Sequence, residues 1–280
     1  MGGSTSTVSQ KSMATFALLS LNCFGVPTPT VRGRLRTLAQ ALNSRDATIV
    51  CLQEVQTHGY RQLLTCACTA YSYQAYYPFV HAPKGGLLTL GRVPLIAPKF
   101  TLYKERGIWY TPGIMDWILH KGMLCTTAFV HELPVIVINT HLNANYHGNW
   151  SRTNIFARGE WQQLQQLATC VAALPTEALI IVAGDFNIPR GSWLYDDFLT
   201  ASGLTDPLAG DMRPTYRNIP GLPARFALPI DFIFFRAPAL NDLHVQANLV
   251  FDARQPLING GSSYLSDHLG LEFRCTWDAS

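Results

Sequence analysis

From Ala178 the chain reads Ala-Leu-Ile-Ile-Val-Ala-Gly-Asp-Phe-Asn. An apolar run with the look of a buried strand closes on Gly184 and then delivers Asp185 and Asn187, one residue apart. Residues i and i+2 of an extended segment share a face, so both polar side chains can project from one side of the strand's end. Alone, Gly-Asp-x-Asn is equally good turn chemistry. It constrains the fold because the arrangement recurs. Apolar runs also deliver Asn22, Glu54, His141 and Asp231, and Ser266-Asp267-His268 precedes the last such run.

Strand-like runs cover residues 15–21, 48–52, 86–90, 124–131, 135–140, 179–183, 230–235 and 269–274. Helical spacing sets Leu35, Leu38 and Leu42 on one face of residues 32–42, with Asn43 and Ser44 as the stop. It recurs at Trp161, Leu164, Leu167, Ala168 and Val171 within 158–174, and 191–202 is a shorter candidate. Strands outnumber helices, and only Leu133-Pro134 separates two of them, which argues against a purely βαβ chain. Two mixed, largely antiparallel sheets packed together with helices outside are expected. Residues 1–12 read as a disordered Ser/Thr-rich leader, although its first six residues have the form of an N-myristoylation signal. Residues 13–280 read as a single domain. Segments 103–121 and 209–229, rich in Gly, Pro, Arg and aromatics, read as long loops.

Composition narrows the class. Hydrophobic residues make up 48% and charged residues 14% of the 280, which describes a well-buried folded protein. A formal charge of +3 offers no basic stripe of the kind a dedicated duplex binder carries. Seven cysteines, an odd number without a C-x-x-C pair, read as buried free thiols of a reducing compartment. No apolar run approaches the roughly 20 residues that span a bilayer. The run 13–26 lacks the basic flank and cleavage site of a signal peptide, so a cytoplasmic location is expected. Nothing points to an obligate protein partner.

Each polar residue at a strand end has a plain structural reading by itself, as a cap, a turn or a solvated loop residue. Asp231 is harder to dismiss, since a carboxylate inside Leu-Pro-Ile-Asp-Phe-Ile-Phe-Phe needs a partner if buried. Together they form a set of acids, amides and two histidines that one sheet edge could gather. Hard oxygen donors suit Mg²⁺, or Mn²⁺, rather than zinc. With histidines beside them they suit attack of water on phosphorus.

At these residues the chain resembles the endonuclease/exonuclease/phosphatase superfamily, the pancreatic-deoxyribonuclease-like fold. The matching strings are L-N-C-F (Leu21–Phe24), L-Q-E-V (Leu52–Val55), N-T-H-L (Asn139–Leu142), G-D-F-N (Gly184–Asn187), I-D-F-I (Ile230–Ile233) and S-D-H (Ser266–His268). The resemblance covers roughly residues 15–274 and implies a four-layer α/β sandwich of two central sheets flanked by helices. It further implies a metal-dependent phosphoric ester hydrolase. Glu54 would be the principal Mg²⁺ ligand, with Asn22 beside it and Asp267 at or near the metal. Asp185 would position or activate water, and Asn187 would bind phosphate. His141 and His268 would stabilise the phosphoryl group, with Asp231 orienting His268.

Three features lean toward the family's sphingomyelinase-like branch. They are Asn143 and Asn145 after N-T-H-L, the spacing of Asp116 and Lys121-Gly122, and the run Gly86 to Pro94, in which Gly91 replaces the usual serine. The substrate is thus expected to be a phosphate ester, small or lipid-linked, with nucleic acid as the alternative and a catalytically inactive binding module as the reading from another class. The 105–121 loop, with its Trp and Ile residues, offers peripheral membrane contact, against an ordinary core or lid role. Arg213, Arg217 and Arg225 are available for nucleic acid or a phosphorylated head group.

Overall fold

The computed structural model describes residues 12–107, 114–217 and 226–279. The leader through residue 11, the aromatic stretch from Ile108 to Tyr110, and Arg225 lie outside the described residues. In chain order come β1 (Met13–Asn22), α1 (Val31–Asn43), β2 (Ile49–Gln53), α2 (His58–Ala67), β3 (Tyr73–Ala75) and β4 (Leu88–Gly91). Then follow β5 (Ile96–Leu102), α3 (Ile114–Leu119), β6 (Gly122–Val130), β7 (Leu133–His141), α4 (Ile155–Ala172), β8 (Leu179–Asp185), α5 (Trp193–Ser202) and β9 (Asp231–Arg236). The chain ends with β10 (His244–Val250), the two-residue pair β11 (Gln255–Pro256) and β12 (Ser262–Ser263), and β13 (Gly270–Asp278).

One sheet runs β10-β13-β1-β2-β4-β3 and the other β5-β6-β7-β8-β9. β1 pairs parallel with β2 and β7 with β8, while the remaining pairings are antiparallel. Both sheets are therefore mixed and largely antiparallel, as expected.

Alternation along the strands sorts the side chains into layers. Phe16 and Leu18 of β1, Ile49 and Cys51 of β2, Val135 and Val137 of β7, and Leu179, Ile181 and Ala183 of β8 meet in the core between the sheets. The opposite phase serves the helices. Leu19, Leu21, Val50 and Leu52 pack with Leu35, Leu38, Leu42 and Leu64 of α1 and α2. Ile136, Ile138, Ile180, Val182, Phe232 and Phe234 pack with Leu164, Leu167, Val171 and Phe198 of α4 and α5. The order helix, sheet, sheet, helix follows from these two phases.

Nearer the strand ends the inner layer turns polar. Gln53 Nε2 of β2 donates to Asn139 Oδ1 of β7 across the sheets at 2.8 Å. Asn139 Nδ2 in turn reaches the carbonyls of Leu52 and Leu88, both at 3.2 Å. Both amides are fully buried. Buried polar groups of this kind stabilise only when partnered, and here they lock the register of one sheet to the other.

The structure adds elements that the apolar pattern does not announce. β10 alternates exposed and half-buried residues at a sheet edge, and β5 is an edge strand interrupted by Pro98 and a register shift. Edge strands bury one face poorly and carry no apolar run. α2 buries only Tyr60 and Leu64, and its start is fixed by Thr57, whose hydroxyl accepts from Tyr60 N at 3.0 Å. Segment 103–121 is not wholly a loop, since it contains α3. All seven cysteines are free, but Cys66 is exposed and Cys125 and Cys170 are half-buried, against the expectation that all are buried. Among the described residues no helix is long and apolar enough to cross a membrane.

Asn139→Ala is expected to strip partners from two buried carbonyls and from the Gln53 amide. The expected loss is about 2–4 kcal/mol of unfolding free energy in a urea titration. An unchanged midpoint would show that the amide clasp contributes no stability.

Candidate active site

The strand register assembles the first part of the site. His141 lies opposite Asp185, and Asp185 opposite Asp231, so the ends of β7, β8 and β9 present three polar residues in a row. All three share the inward phase of their strands, and all are buried. Asn22 ends β1 in the same inward phase and faces them from the other sheet.

Asp185 Oδ2 is the centre of the group. It accepts from Asn22 Nδ2 at 2.9 Å and lies 3.3 Å from His141 Nε2 and 3.9 Å from His268 Nε2. Burial pushes the Asp185 carboxyl upward, but the charges of His141, His268 and Lys121 outweigh it and hold the group well below its ordinary value. His268 Nδ1 pairs with Asp231 Oδ2 at 2.8 Å. Burial disfavours the imidazolium, yet Asp231 and Asp185 facing the ring raise His268 well above the ordinary histidine range. The Tyr216 ring lies against the imidazole, with centroids 4.9 Å apart.

Glu54 joins from the opposite sheet by a backbone turn. Alternation alone would send it away from Gln53, but its φ is 58°, in the left-handed region. Its Oε1 thereby accepts from Asn22 Nδ2 at 3.0 Å. Asn22 thus spends its amide hydrogens on Glu54 and Asp185, while its oxygen accepts from Phe24 N at 3.0 Å. The neighbouring backbone is close: a Cβ on Gly25 would lie 1.9 Å from the Glu54 carbonyl oxygen. Gly184 has the same character, with φ 153° and room for no Cβ, which would lie 1.9 Å from the Thr140 carbonyl oxygen.

Asn187 also adopts the left-handed region, with φ 55°. Its backbone N–H donates to Asp185 Oδ1 at 3.0 Å and its amide to the Leu142 carbonyl at 3.0 Å. Between the two polar residues, Phe186 anchors the turn in a ring cluster with Phe198, Phe232 and Phe234. Asp267 completes the set. Burial pushes its carboxyl up to about 6; the nearby His268 charge opposes this rise and that of Glu54 adds to it.

Every site residue expected from sequence is therefore placed in this one region. Further residues support it: Asp116 and Lys121 enter the sequence reading through the family resemblance and Ser266 through the S-D-H string, whereas Thr215 carries no sequence signal. Lys121, just before β6, sits 2.8 Å from Asp116 Oδ1 and 3.0 Å from His141 Nε2, and donates to the Leu142 carbonyl at 2.7 Å. Asp116 Oδ2 accepts from Ala144 N at 3.0 Å, which ties α3 to the loop after β7. Thr215 Oγ1 accepts from the N–H groups of Ile230 and Asp231, both at 3.0 Å. Ser266 Oγ donates to the Asn22 carbonyl at 2.6 Å and accepts from His268 N at 3.1 Å. The arginines of segment 209–229 are differently employed than expected. Arg213 pairs with Asp211, and Arg217 donates to the carbonyls of Ser266, Asp252 and Phe251.

Two donor groups have the composition to hold a cation. Asp185, Asp231 and His268 bring ligand atoms within 4.8 Å of one another, but His268 Nδ1 already engages Asp231 there. Glu54 and Asp267 form an acidic pair of hard oxygen donors, which suits a divalent cation of the Mg²⁺ class.

Two sheets between helix layers, with acids and histidines gathered at their paired strand ends, define a phosphoesterase-like sandwich. The sequence profile of the Endonuclease/Exonuclease/phosphatase family matches residues 19–268, and the chain belongs to that family, a class of phosphoric ester hydrolases. It is 26% identical over 262 residues to a Drosophila melanogaster protein named "Putative neutral sphingomyelinase", covering 90% of this chain but only 58% of that protein. In fold it is similar to sphingomyelinase C from Streptomyces griseocarneus, with a TM-score of 0.73 at 19% identity over 93% of this chain and 99% of that one. It is also similar to a beta toxin from Staphylococcus aureus with bound magnesium ions, at TM-score 0.71 and 16% identity over 94% and 99%. A TDP2 from D. rerio complexed with single-strand DNA product gives a TM-score of 0.69 at 18% identity over 94% and 99%.

Gly25→Ala is expected to displace the Glu54 backbone and cost about 2–4 kcal/mol of stability in thermal or urea unfolding. A fully stable variant would show that the loop yields at little cost. The lowered Asp185 value gives a pH test. Its charge favours folding above the ordinary value of 3.8, and that contribution fades as pH falls through the lower folded value. Asp185→Asn is expected to flatten the fall of stability on the acid side, read from urea midpoints between pH 2 and 7 (roughly the window in which carboxylates titrate).

Proposed function

We propose that the chain is a Mg²⁺-dependent phosphodiesterase that hydrolyses a small or lipid-linked phosphate ester by in-line attack of water on phosphorus. The observation that carries this reading is Asp185 Oδ2, set between Asn22, His141 and His268, with Asp231 behind His268. In this reading Asp185 accepts a hydrogen bond from the attacking water and orients it. A carboxylate held well below its ordinary value is a weak base, so aligning the nucleophile suits it better than stripping a proton unaided.

His268, kept charged by its two carboxylate neighbours, donates a proton to the departing ester oxygen as the phosphorus–oxygen bond breaks, and the proton released by the attacking water as its bond to phosphorus forms restores the neutral imidazole to its charged state. His141, with Lys121 against its ring, and Asn187 neutralise and hold the phosphoryl oxygens. Glu54 and Asp267 would hold the divalent cation, and Asn22 keeps Glu54 aligned with Asp185. A bound Mg²⁺ supplies charge neutralisation at the phosphoryl group and lowers the pKa of water.

The lipid-linked preference draws on the Drosophila relative, of which this chain spans little more than half. A nuclease is the second reading, favoured by the likeness to the DNA-bound TDP2 fold.

Turnover of sphingomyelin, bis-p-nitrophenyl phosphate, inositol phosphates, and single- and double-stranded nucleic acids decides between them. EDTA is expected to abolish activity. Asp185→Ala and His268→Ala are each expected to lower it by about 10²–10⁴-fold. Turnover of nucleic acid alone would select the second reading. Equal turnover by His268→Ala would sink the assigned site, and no turnover of any ester would favour a binding module.

A further inference from the structure

We propose that residues 76–84 and the exposed side of α3 form one surface that seats the protein on the headgroup layer of a lipid bilayer. The proposal rests on the lipid-directed reading of the site, and it names the partner that reading requires.

The apolar side chains are large and open to solvent. Val80 is 85% exposed, Tyr77 47%, Trp117 43% and Ile118 39%. They belong to two segments far apart in sequence that meet through their rings. Phe79 lies 4.5 Å from His120, centroid to centroid, and Trp117 lies 6.4 Å from the same ring. Tyr77 continues the patch to Phe100 at 6.0 Å.

Cations lie directly against these rings. Lys84 Nζ is 5.5 Å from the Tyr77 ring, 5.8 Å from Phe79 and 5.3 Å from Phe100. The Arg106 guanidinium stands 4.5 Å from the Trp117 ring. Neither 76–84 nor 117–121 contains an acidic residue. The combination of aliphatic tips, amphipathic Tyr and Trp, and cations just below fits an interface with phosphate groups above an acyl layer. Single-stranded nucleic acid would use the rings and the lysine, but Val80 and Ile118 offer no face on which a base stacks.

The patch also borders the site. The Gly86 carbonyl, two residues beyond Lys84, accepts from Val55 N at 2.9 Å, next to Glu54. Asp116 of α3 pairs with Lys121, which touches His141. A surface that docks these segments would therefore bring headgroups to the mouth of the candidate site. The expectation of membrane contact through segment 105–121 is extended by a second segment, 76–84.

The test compares wild type with the double variant Val80→Glu/Ile118→Glu, and with Trp117→Ala as a second variant. Co-sedimentation is measured with phosphatidylcholine vesicles, with and without phosphatidylserine. Turnover of soluble bis-p-nitrophenyl phosphate and the thermal midpoint are followed in parallel. Wild type is expected to sediment with vesicles, more so with phosphatidylserine. The double variant's partitioning is expected to fall at least about tenfold, and that of Trp117→Ala by a smaller factor. Soluble turnover and thermal midpoint should stay at wild-type values.

Absent sedimentation of the wild type, or equal sedimentation of wild type and double variant, would overturn the proposal. So would a single-stranded oligonucleotide retained by the wild type and lost by the double variant while vesicles bind neither. Failure of the enzymatic reading registers separately, as no soluble turnover by any of the three proteins.

Discussion

The carboxamide of Asn22 bridges the two sheets where their charges meet. Its amide group reaches Glu54 from the first sheet and Asp185 from the second, at 3.0 and 2.9 Å. Two buried or half-buried carboxylates facing each other repel, and the penalty grows as water is excluded. A neutral donor with two hydrogens relieves both without introducing another charge to bury. Below it, the Gln53–Asn139 pair fixes the register of β2 against β7, on which the alignment of Glu54 with His141 depends. The candidate site is thus the polar end of a layer whose remainder is Phe16, Leu18, Ile181 and their neighbours.

Two backbone distortions convert ordinary strand ends into this arrangement. Glu54 and Asn187 both adopt the left-handed region, a conformation that costs a residue with a Cβ about 1–2 kcal/mol. Each is held by contacts immediately beside it. Val55 N is bound by the Gly86 carbonyl, and Asn187 N by the Asp185 carboxylate. Phe186 adds the burial of a full aromatic ring between the two polar residues of its turn. Local strain is overcome by packing, and the gain is that Glu54 accepts from the Asn22 amide while Asn187 donates to the Leu142 carbonyl.

The inner-phase residues were legible because alternation survives to the strand ends. Asn22, His141 and Asp185 keep the parity of the inward residues before them, and Asp231 that of Ile233 after it. Glu54 does not follow that parity. The apolar run before it marks Glu54 as a strand-end residue and the L-Q-E-V resemblance implies its role, but the positive φ that places it has no signal in composition. Thr215 acts through contacts of its hydroxyl with the backbone of Ile230 and Asp231. A lone threonine whose hydroxyl accepts from the N–H groups of Ile230 and Asp231 is indistinguishable in sequence from a solvated one. Arg217 shows the opposite error. A guanidinium in a long polar loop suggests a ligand contact, yet three backbone carbonyls claim it. The edge strands β5 and β10 were silent for a simpler reason, since half-exposed strands carry no continuous apolar run.

The charged groups around Asp185 fall into a basic set and an acidic set. His141, Lys121 and His268 surround Asp185 Oδ2 from the β7 side and from the loop before β13. Glu54 and Asp267 make up the acidic part of the site, where burial and the charge of Glu54 push the Asp267 carboxyl up to about 6. Lys121 pairs with Asp116 and His268 with Asp231, each at 2.8 Å, so both buried cations have a carboxylate partner. An anion placed beside the histidines and a divalent cation placed beside the acids would each relieve the charge already present there. Under the proposed function a phosphate ester and its metal would meet both conditions, with Asp185 placed to accept a hydrogen bond from the attacking water. Burial alone would raise the Asp185 carboxyl, but the basic groups facing it hold it well below its ordinary value, so it stays a hydrogen-bond acceptor.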